Sequence, residues 1–413
     1  MEQRIVVVGG GYAGLNAVNA LQKQFASDPR IQLVLIDKES FHLRKVLLFQ
    51  RAVQETPIKV PYSDYFGDTV EVIQAELIAV EPEAKQIRIC RPDGAYEDQP
   101  YDRLILCLGS KVVSASPEQG GISLTDMESG DRIRRQLEQN LSDARRAVHE
   151  AERRRLLSVA IVGGGITGIE TAGELASGLR RKAAAAGLDP AEVAVTLINS
   201  QQRLLEAAPP HVSRRLEQEL SAIGVRVKHG SRAEQFRDGE LALRGGELVP
   251  VGACVWTLGL RPNPLVQRLG LPITSDGKLQ VDAQYHVHGS DGIYAIGDCA
   301  HIMDPVSGAA DGMTCKEAIP QAGRLAKIIK AELASMNGPQ HASYTNVFCI
   351  SLGPDRGLVW LQKWGMNLVL TGKVGLHIRK LTWDMASLLS GKQGNVSELV
   401  YRQKKAGEGR NVH

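Results

Sequence analysis

The chain has 413 residues, 43% hydrophobic and 23% charged, with a net charge of +3, the make-up of an ordinary globular protein of about two to three domains. No run of 18 or more apolar residues occurs, and Met1-Glu-Gln-Arg4 leads straight into an apolar stretch, so neither a transmembrane helix nor a signal peptide is expected. Six scattered cysteines (Cys90, Cys107, Cys254, Cys299, Cys315, Cys349) contain no C-x-x-C, so neither a zinc site nor a disulfide framework is indicated, and a reducing cytoplasm fits best.

The first forty residues organise the rest. Ile5 to Val8 reads as an apolar strand entering a glycine turn, with Gly9, Gly11 and Gly14 at G-x-G-x-x-G spacing. Leu15, Val18, Leu21 and Phe25 then recur at helical spacing, and Ile31-Gln-Leu-Val-Leu-Ile-Asp37 is a second strand ending in an acid. Each part has a physical task in holding a dinucleotide. Gly9 permits the tight turn, Gly11 lets a pyrophosphate approach the N–H groups at a helix N-terminus, and Gly14 lets helix and strand pack closely. Asp37 can hydrogen-bond a ribose hydroxyl. Tyr12 and Ala13 inside the turn, and Lys38 after the acid, belong to the same candidate site.

Residues 69–108 read as short strands and turns, ending in the apolar run Leu104 to Leu108 and Gly109-Ser110, which suits a chain passing close to a bound cofactor. From Asp126 to Arg155 the spacing of Ile133, Leu137, Leu141, Ala144 and Val148 predicts one surface helix. The opening pattern then repeats. Leu156 to Val162 enters Gly163, Gly165 and Gly168 at the same spacing, with Ile166 and Thr167 inside the turn, a helix from Ile169 to about Lys182, and the strand Val193 to Ser200. Two such units imply two dinucleotides, most economically FAD and NAD(P)H. The second unit carries Asn199 at the acid position. Asn199 can bond a ribose hydroxyl, and Arg203 either reaches a phosphate or is a solvated arginine, so NADH and NADPH both stay open.

Gly259 to Pro264 forms a Pro-rich crossing back, and Gly292 to Cys299 is a strand ending in Gly297-Asp298, placing a carboxylate where ligands sit in open α/β sheets. A helix is expected from Met313 to about Met336, with Pro320 marking a first turn or a kink. Beyond it come short strands and a helical stretch from about Gly375. There Ile378, Leu381, Met385, Leu388 and Leu389 share a face beside His377, Arg379, Lys380 and Trp383. An interfacial helix on an anionic membrane, a helix packed on its own core and a homodimer contact all give that pattern. From Arg356 to His413 there are ten Lys/Arg against three Asp/Glu, so the end of the chain is basic: an anionic partner surface or a solvated face. The tail lacks interleaved aromatics, so nucleic acid is not expected, and after Lys392 it is polar and expected to fray.

Taken together these residues resemble the flavoproteins with two dinucleotide-binding domains, and within them the type II NADH:quinone oxidoreductases and the related ferroptosis-suppressor reductases. The resemblance covers about residues 4–335. His42-Leu43 and Leu47-Leu-Phe-Gln50 resemble H-L-x-x-x-L-L-Y-Q; Gly163 to Glu170 with Gly173-Glu-Leu175 resembles G-G-G-x-T-G-x-E…G-E-L. Val255-Trp-Thr257 with Arg261-Pro-Asn263 resembles V-W-T-A-G-x-R-x-N, and Ala295 to Ala300 resembles the second FAD motif. The resemblance implies that His42, Gly109, Gly297, Asp298, Cys315 and Lys316 line the FAD, that Gly259 lies at the crossing beside the cofactors, and that electrons pass from NAD(P)H through FAD to a quinone. Glu170 becomes the candidate for holding the nicotinamide ring or relaying a proton, and Lys316 for stabilising charge on reduced flavin. No C-x-x-x-x-C pair follows Asp37, unlike the flavin disulfide reductases, so electrons leave the flavin directly. Type II enzymes carry A-Q-x-A-x-Q where this chain has Cys315-Lys-Glu-Ala-Ile-Pro320, which leaves the acceptor open. A reductase of ferredoxin or rubredoxin, and a non-enzymatic NAD(P)H sensor, are the alternatives.

The expected fold is α/β, with two Rossmann-type dinucleotide-binding domains and a C-terminal α+β domain. The FAD domain is discontinuous (residues 1–125 and 261–338), a connecting helix covers 126–155, the NAD(P) domain is inserted at 156–260, and the last domain spans 339–413. The expected location is cytoplasmic, with peripheral attachment to the cytoplasmic face of the membrane as the membrane reading of the last helix.

Overall fold

A computed structural model of the chain describes residues 2–343, 347–363 and 365–389. Gln3–Val8 becomes the centre of a five-stranded parallel sheet in the order Ile293–Ala295, Arg103–Leu106, Gln3–Val8, Ile31–Asp37, Glu71–Gln74. Its strands are apolar because helices cover the sheet, and Ile5, Val6 and Val7 are fully buried. Helix Tyr12–Gln24 returns along the sheet and packs against helix Cys315–Leu333.

The second unit repeats this order in four strands, while its edge strand, Ile122–Ser123, precedes the others in the chain instead of following them. Ser158–Val162 is central in a parallel sheet of Ile122–Ser123, Ala253–Trp256, Ser158–Val162, Ala194–Ile198 and Val225–Lys228. In each unit an antiparallel three-stranded sheet follows the parallel strand at one edge, Glu71–Gln74 or Val225–Lys228: Glu76–Glu81, Gln86–Cys90 and Tyr96–Pro100 in the first, Ala233–Arg237, Glu240–Leu243 and Leu248–Pro250 in the second. The two connections between the units run as an antiparallel pair, Ser110–Val112 against Leu260–Pro262, directly after Gly109 and Gly259. The expected α/β class is therefore what the chain adopts. A third antiparallel sheet (Val347–Ser351, Gly357–Lys363, Met366–Thr371) and helix Gly372–Ala386 follow. Trp360 and Trp383 from this last part join Phe49, Ile169 and Leu175 in one core.

Three expectations need correction. The surface helix is two helices, Met127–Ala144 and Glu150–Leu156. Asp126 caps the first by accepting the Ser129 N–H at 2.8 Å. Ile133, Leu137, Leu141 and Ala144 are buried, but Val148 is 89% exposed, so no core holds a further turn there. Pro320 sits in the second turn of an unbroken helix, Cys315–Leu333. The hydrogen bond it cannot make would have gone to the Lys316 carbonyl, and packing against helix Tyr12–Gln24 holds the helix regardless.

The last helix buries Gly375, Leu376, Trp383 and Ala386 rather than the stripe of Ile378, Leu381 and Met385. Ile378 and Leu381 are half-buried and Met385 is exposed. The expected frayed tail after Lys392 lies outside the described residues. Among the described residues no helix is long and apolar enough to cross a membrane.

Candidate active site

Both glycine turns are built alike. Gly9 (φ +101°) and Gly163 (φ +123°) take a left-handed conformation that L side chains rarely adopt, and a Cβ on either would strike the backbone carbonyl of Cys107 or Thr257. A Cβ on Gly14 would overlap the Gly9 carbonyl, and one on Gly168 the Gly163 carbonyl. Gly11 and Gly165 instead face open space and each caps a helix with no side chain on its first N–H groups. Two helix N-termini are thus left bare, each a cradle with the geometry to take a diphosphate.

At the first cradle Asp37 accepts the Gly10 N–H at 2.5 Å and the Glu39 N–H at 2.8 Å, and burial pushes its carboxyl pKa up. Tyr62, which the motif reading missed, is buried with its hydroxyl against Asp37. Lys38 points outward, exposed, with Glu39 at 3.9 Å. His42 is fully buried; burial depresses its pKa to about 4, so its neutral ring donates from Nδ1 to the Gly10 carbonyl at 3.0 Å. Tyr12 meets the His42 ring edge-on at 4.9 Å.

On the far side Ser110 donates to Asp298 at 2.6 Å, and Gly297 donates its N–H to Gln321 at 2.8 Å. Ala13 packs on Gly297, where a Cβ would crowd it. Lys45 is exposed to the cleft yet close enough to Lys111, Asp298 and Asp37 for their charges to act on it; burial lowers its pKa. It belongs to no glycine pattern, so spacing alone could not reveal it.

At the second cradle Asn199 is buried. Its Nδ2 donates to the carbonyls of Gln201 and Arg203, both at 3.1 Å, and lies 3.0 Å from His229 Nδ1. Its donors are engaged in shaping the loop, and only Oδ1, which accepts the Gln201 N–H at 3.3 Å, faces Gly164. Arg203 fits neither expectation. Its guanidinium turns back to the carbonyls of Leu205, Glu206 and Ala208 and to Ser213 Oγ, because that loop has no regular structure to satisfy its acceptors.

Between the cradles and the last sheet lies a junction that sequence reading only half located. Glu170, in the second turn of helix Ile166–Ala185, is buried rather than on the helix surface. It accepts from Ser351 N at 2.9 Å and takes a two-pronged ion pair from Arg379, with Nε at 2.9 Å and Nη2 at 3.1 Å. Gly173, three residues on, lets the chain at Leu352 approach this helix closely. Arg379 lies over the Trp383 ring at 5.2 Å. Lys316 donates to the Val347 carbonyl at 2.9 Å and sits over Phe348 at 5.1 Å. Burial raises the Cys315 and Cys349 thiols, and Arg379 acts on both in the opposite direction. The signal for Arg379 was the spacing Gly375, Arg379, Trp383, Ala386; the stripe read from Ile378 set the helix phase wrongly.

The chain matches the pyridine nucleotide-disulphide oxidoreductase family over residues 3–322. It belongs to that family. The oxidoreductase is 26% identical over 391 residues to demethylphylloquinone reductase of Synechocystis sp., covering 92% of this chain and 91% of that one. It is 25% identical over 329 residues to a type II NADH:quinone oxidoreductase of Haemophilus influenzae, covering 73% and 74%. In fold it is similar to NDH2 of Plasmodium falciparum in complex with NADH, with a TM-score of 0.77 at 16% identity over 93% of this chain and 94% of that one. FAD and NAD(P)H are the cofactors of this oxidoreductase, as the two glycine units implied. The disulphide in the family name has no counterpart, since all six cysteines are free thiols.

Proposed function

We propose that this oxidoreductase carries electrons from NAD(P)H through FAD to a quinone. The observation that carries the reading is the pair of bare helix N-termini, at Gly11 and Gly165, opening from two parallel sheets that share a four-strand order, with no cysteine pair between them. The relatives named as a quinone oxidoreductase and a demethylphylloquinone reductase support quinone as the acceptor.

FAD, when bound, accepts hydride and passes electrons on. The chain's own part is positioning. The Gly9–Gly14 turn holds the FAD diphosphate, and Asp37 a ribose hydroxyl. Lys45 adds positive charge near the anionic groups, and Asp298, fixed by Ser110, faces the same cleft from the second motif. The Gly163–Gly168 turn holds the NAD(P)H diphosphate, with Ile166 and Thr167 at its rim and Asn199 Oδ1 toward the ribose. Gly109 and Gly259, at the two crossings, leave room where the cofactors meet. Glu170 and Lys316 line the exit, the first through its pair with Arg379, the second as a fixed cation.

The reading extends to a peripheral position on the cytoplasmic face of a membrane, where quinones dissolve. Met366, Leu368, Val374 and Met385 are 67%, 51%, 58% and 53% exposed on the last sheet and helix, with Lys373, His377 and Lys380 exposed on the same helix. Apolar side chains among cations suit an anionic bilayer surface.

The test is rapid mixing. The FAD-loaded protein is reduced with NADH or NADPH in separate runs and then mixed with a soluble quinone or with ferredoxin. Flavin bleaching by the nucleotide and recovery on mixing with quinone is the expected result. Recovery with ferredoxin alone sinks the reading.

A further inference from the structure

We propose that Gln321 and Asp311 are positioning residues for FAD: Asp311 fixes the Gln321 side-chain amide, whose oxygen holds the Gly297 N–H and so sets the turn that carries Asp298. The inference rests on the placing of Asp298 in the FAD cleft above and is independent of the acceptor.

The Gly297–Asp298 turn is held from two sides. Ser110 Oγ donates to Asp298 Oδ2 at 2.6 Å, and the Gly297 N–H donates to Gln321 Oε1 at 2.8 Å. Gly297 has φ +75°, and a Cβ there would stand 2.7 Å from the Ala13 Cβ, so the turn has no room to shift toward helix Tyr12–Gln24. A side-chain amide can present either its oxygen or its nitrogen to a neighbour. Here the far end of the amide makes the choice. Gln321 Nε2 lies 2.8 Å from Asp311 Oδ2, and an ionised carboxylate only accepts, so the nitrogen faces Asp311 and the oxygen faces Gly297.

Asp311 is itself held in a buried polar chain. His341 Nε2 stands 3.3 Å from the same oxygen, with the Asp311 and His341 side chains 7% and 1% exposed. His341 Nδ1 lies 3.0 Å from the Tyr285 hydroxyl and 3.2 Å from Arg324 Nη1, and Arg324 Nη1 donates to that hydroxyl at 2.7 Å. A guanidinium only donates, so His341 Nδ1 accepts and the ring proton sits on Nε2, toward Asp311. Arg324, half-buried, is the positive end of the chain and Asp311 the negative end. Burial pushes the Asp311 carboxyl pKa up, but the contacts with His341 and Gln321 and the charge of Arg324 hold it below the usual range. Gln321 and Arg324 are three residues apart on helix Cys315–Leu333, so one face of that helix meets the whole chain. Stability gives no reason for a carboxylate here, since apolar side chains of the same volume pack as well. Its link toward the cofactor cleft runs through Gln321 to Gly297.

The experiment measures the dissociation constant of the full chain for FAD, by ultrafiltration and flavin absorbance. Gln321→Glu keeps the shape of the side chain but sets a second carboxylate against Asp311. It is expected to weaken FAD binding about tenfold or more, the effect of one hydrogen bond at the turn. Adding Asp311→Asn to Gln321→Glu exchanges amide and carboxylate between the two positions, so that a donor again faces an acceptor. Affinity should then return to within about threefold of wild type. A side chain that only fills space is not rescued by that exchange. Should Gln321→Glu fail to fold, Gln321→Met, which loses both bonds without adding charge, carries the test with the same expected loss of about tenfold. Unchanged FAD affinity in the single variant overturns the proposal, and so does a double variant no tighter than the single one. Asp298→Ala tests the cleft itself. If that variant loses FAD while the Gln321 variants keep it, the positioning role alone falls. If it keeps FAD at wild-type affinity, the cleft reading falls and takes this inference with it.

Discussion

Asp37 and Asn199 stand at the same place in two copies of one unit, and their difference is a difference in charge. Asp37 anchors two backbone N–H groups with its carboxylate, whereas Asn199 uses its amide donors on its own loop and carries no charge. A neutral residue does not repel a 2′-phosphate, and Arg203, turned into the loop, does not attract one. Wild-type kcat/KM values for NADH and NADPH should therefore lie within about tenfold of each other, or about 1.4 kcal/mol. Asn199→Asp should lower kcat/KM for NADPH about tenfold or more relative to NADH; an unchanged ratio counts against this site. His286 makes a pH prediction. It lies between Glu332 at 2.8 Å and Asp282 at 3.0 Å, and the Glu332 bond, then Asp282, raises its pKa against the opposing effect of burial. Tyr294 and Arg103 also face Glu332. A raised folded pKa means the stabilisation is complete below the unfolded value of about 6.5 and is lost as pH climbs through the folded value. The melting gap between wild type and His286→Gln should be larger at about pH 6 than at about pH 9. A gap that widens with pH contradicts it. Spacing pointed to Asp37 and Gly163 and the motif resemblance to Glu170, but Tyr62 and Lys45 come from segments with no spacing of their own, and Arg379 from a helix whose buried face the apolar stripe misplaced.

At the scale of elements, helix Cys315–Leu333 carries a proline that removes one internal hydrogen bond, the one to the Lys316 carbonyl. Pro320→Ala restores that donor and a better helix former, so it should stabilise the fold by up to about 3 kcal/mol. A higher urea midpoint with an unchanged slope is the expected measurement; a lower midpoint means the ring's packing outweighs the lost bond. Both strand–turn–helix units were legible because their constraints are local. A glycine that must turn, a glycine that must let the chain pass and an alternation of apolar residues all lie within forty residues. The last helix was harder. Its apolar residues cover more than one face, with Ile378 and Leu381 half-buried and Trp383 buried, so periodicity picked the stripe from Ile378, whereas the core around Trp360 and Phe49 set the other face inward.

For the whole molecule, the C-terminal sheet and helix sit against the nicotinamide unit through Glu170 and against the FAD unit through Arg44, whose guanidinium reaches Asp384 at 2.5 Å. Their outer surface carries Met366, Leu368, Val374 and Met385. If that surface docks on membranes, co-sedimentation with vesicles containing anionic lipid should fall with added salt. Met385→Glu should weaken it several-fold while leaving FAD content unchanged. Binding that ignores both salt and Met385→Glu removes this surface from the membrane reading. The sequence by itself determined the two dinucleotide units, their cofactors and the absence of a C-x-x-x-x-C pair, because each of these is written in short-range spacing. Only the tertiary structure decided that Glu170 is buried against Arg379, that Asn199 and Arg203 are turned into their own loop, and which face of the last helix looks outward. Glu170 and Arg379 meet across 209 residues of chain, and contact at that range is set by the packing of whole elements; the Asn199–Arg203 loop closes over short range but without any periodicity to announce it.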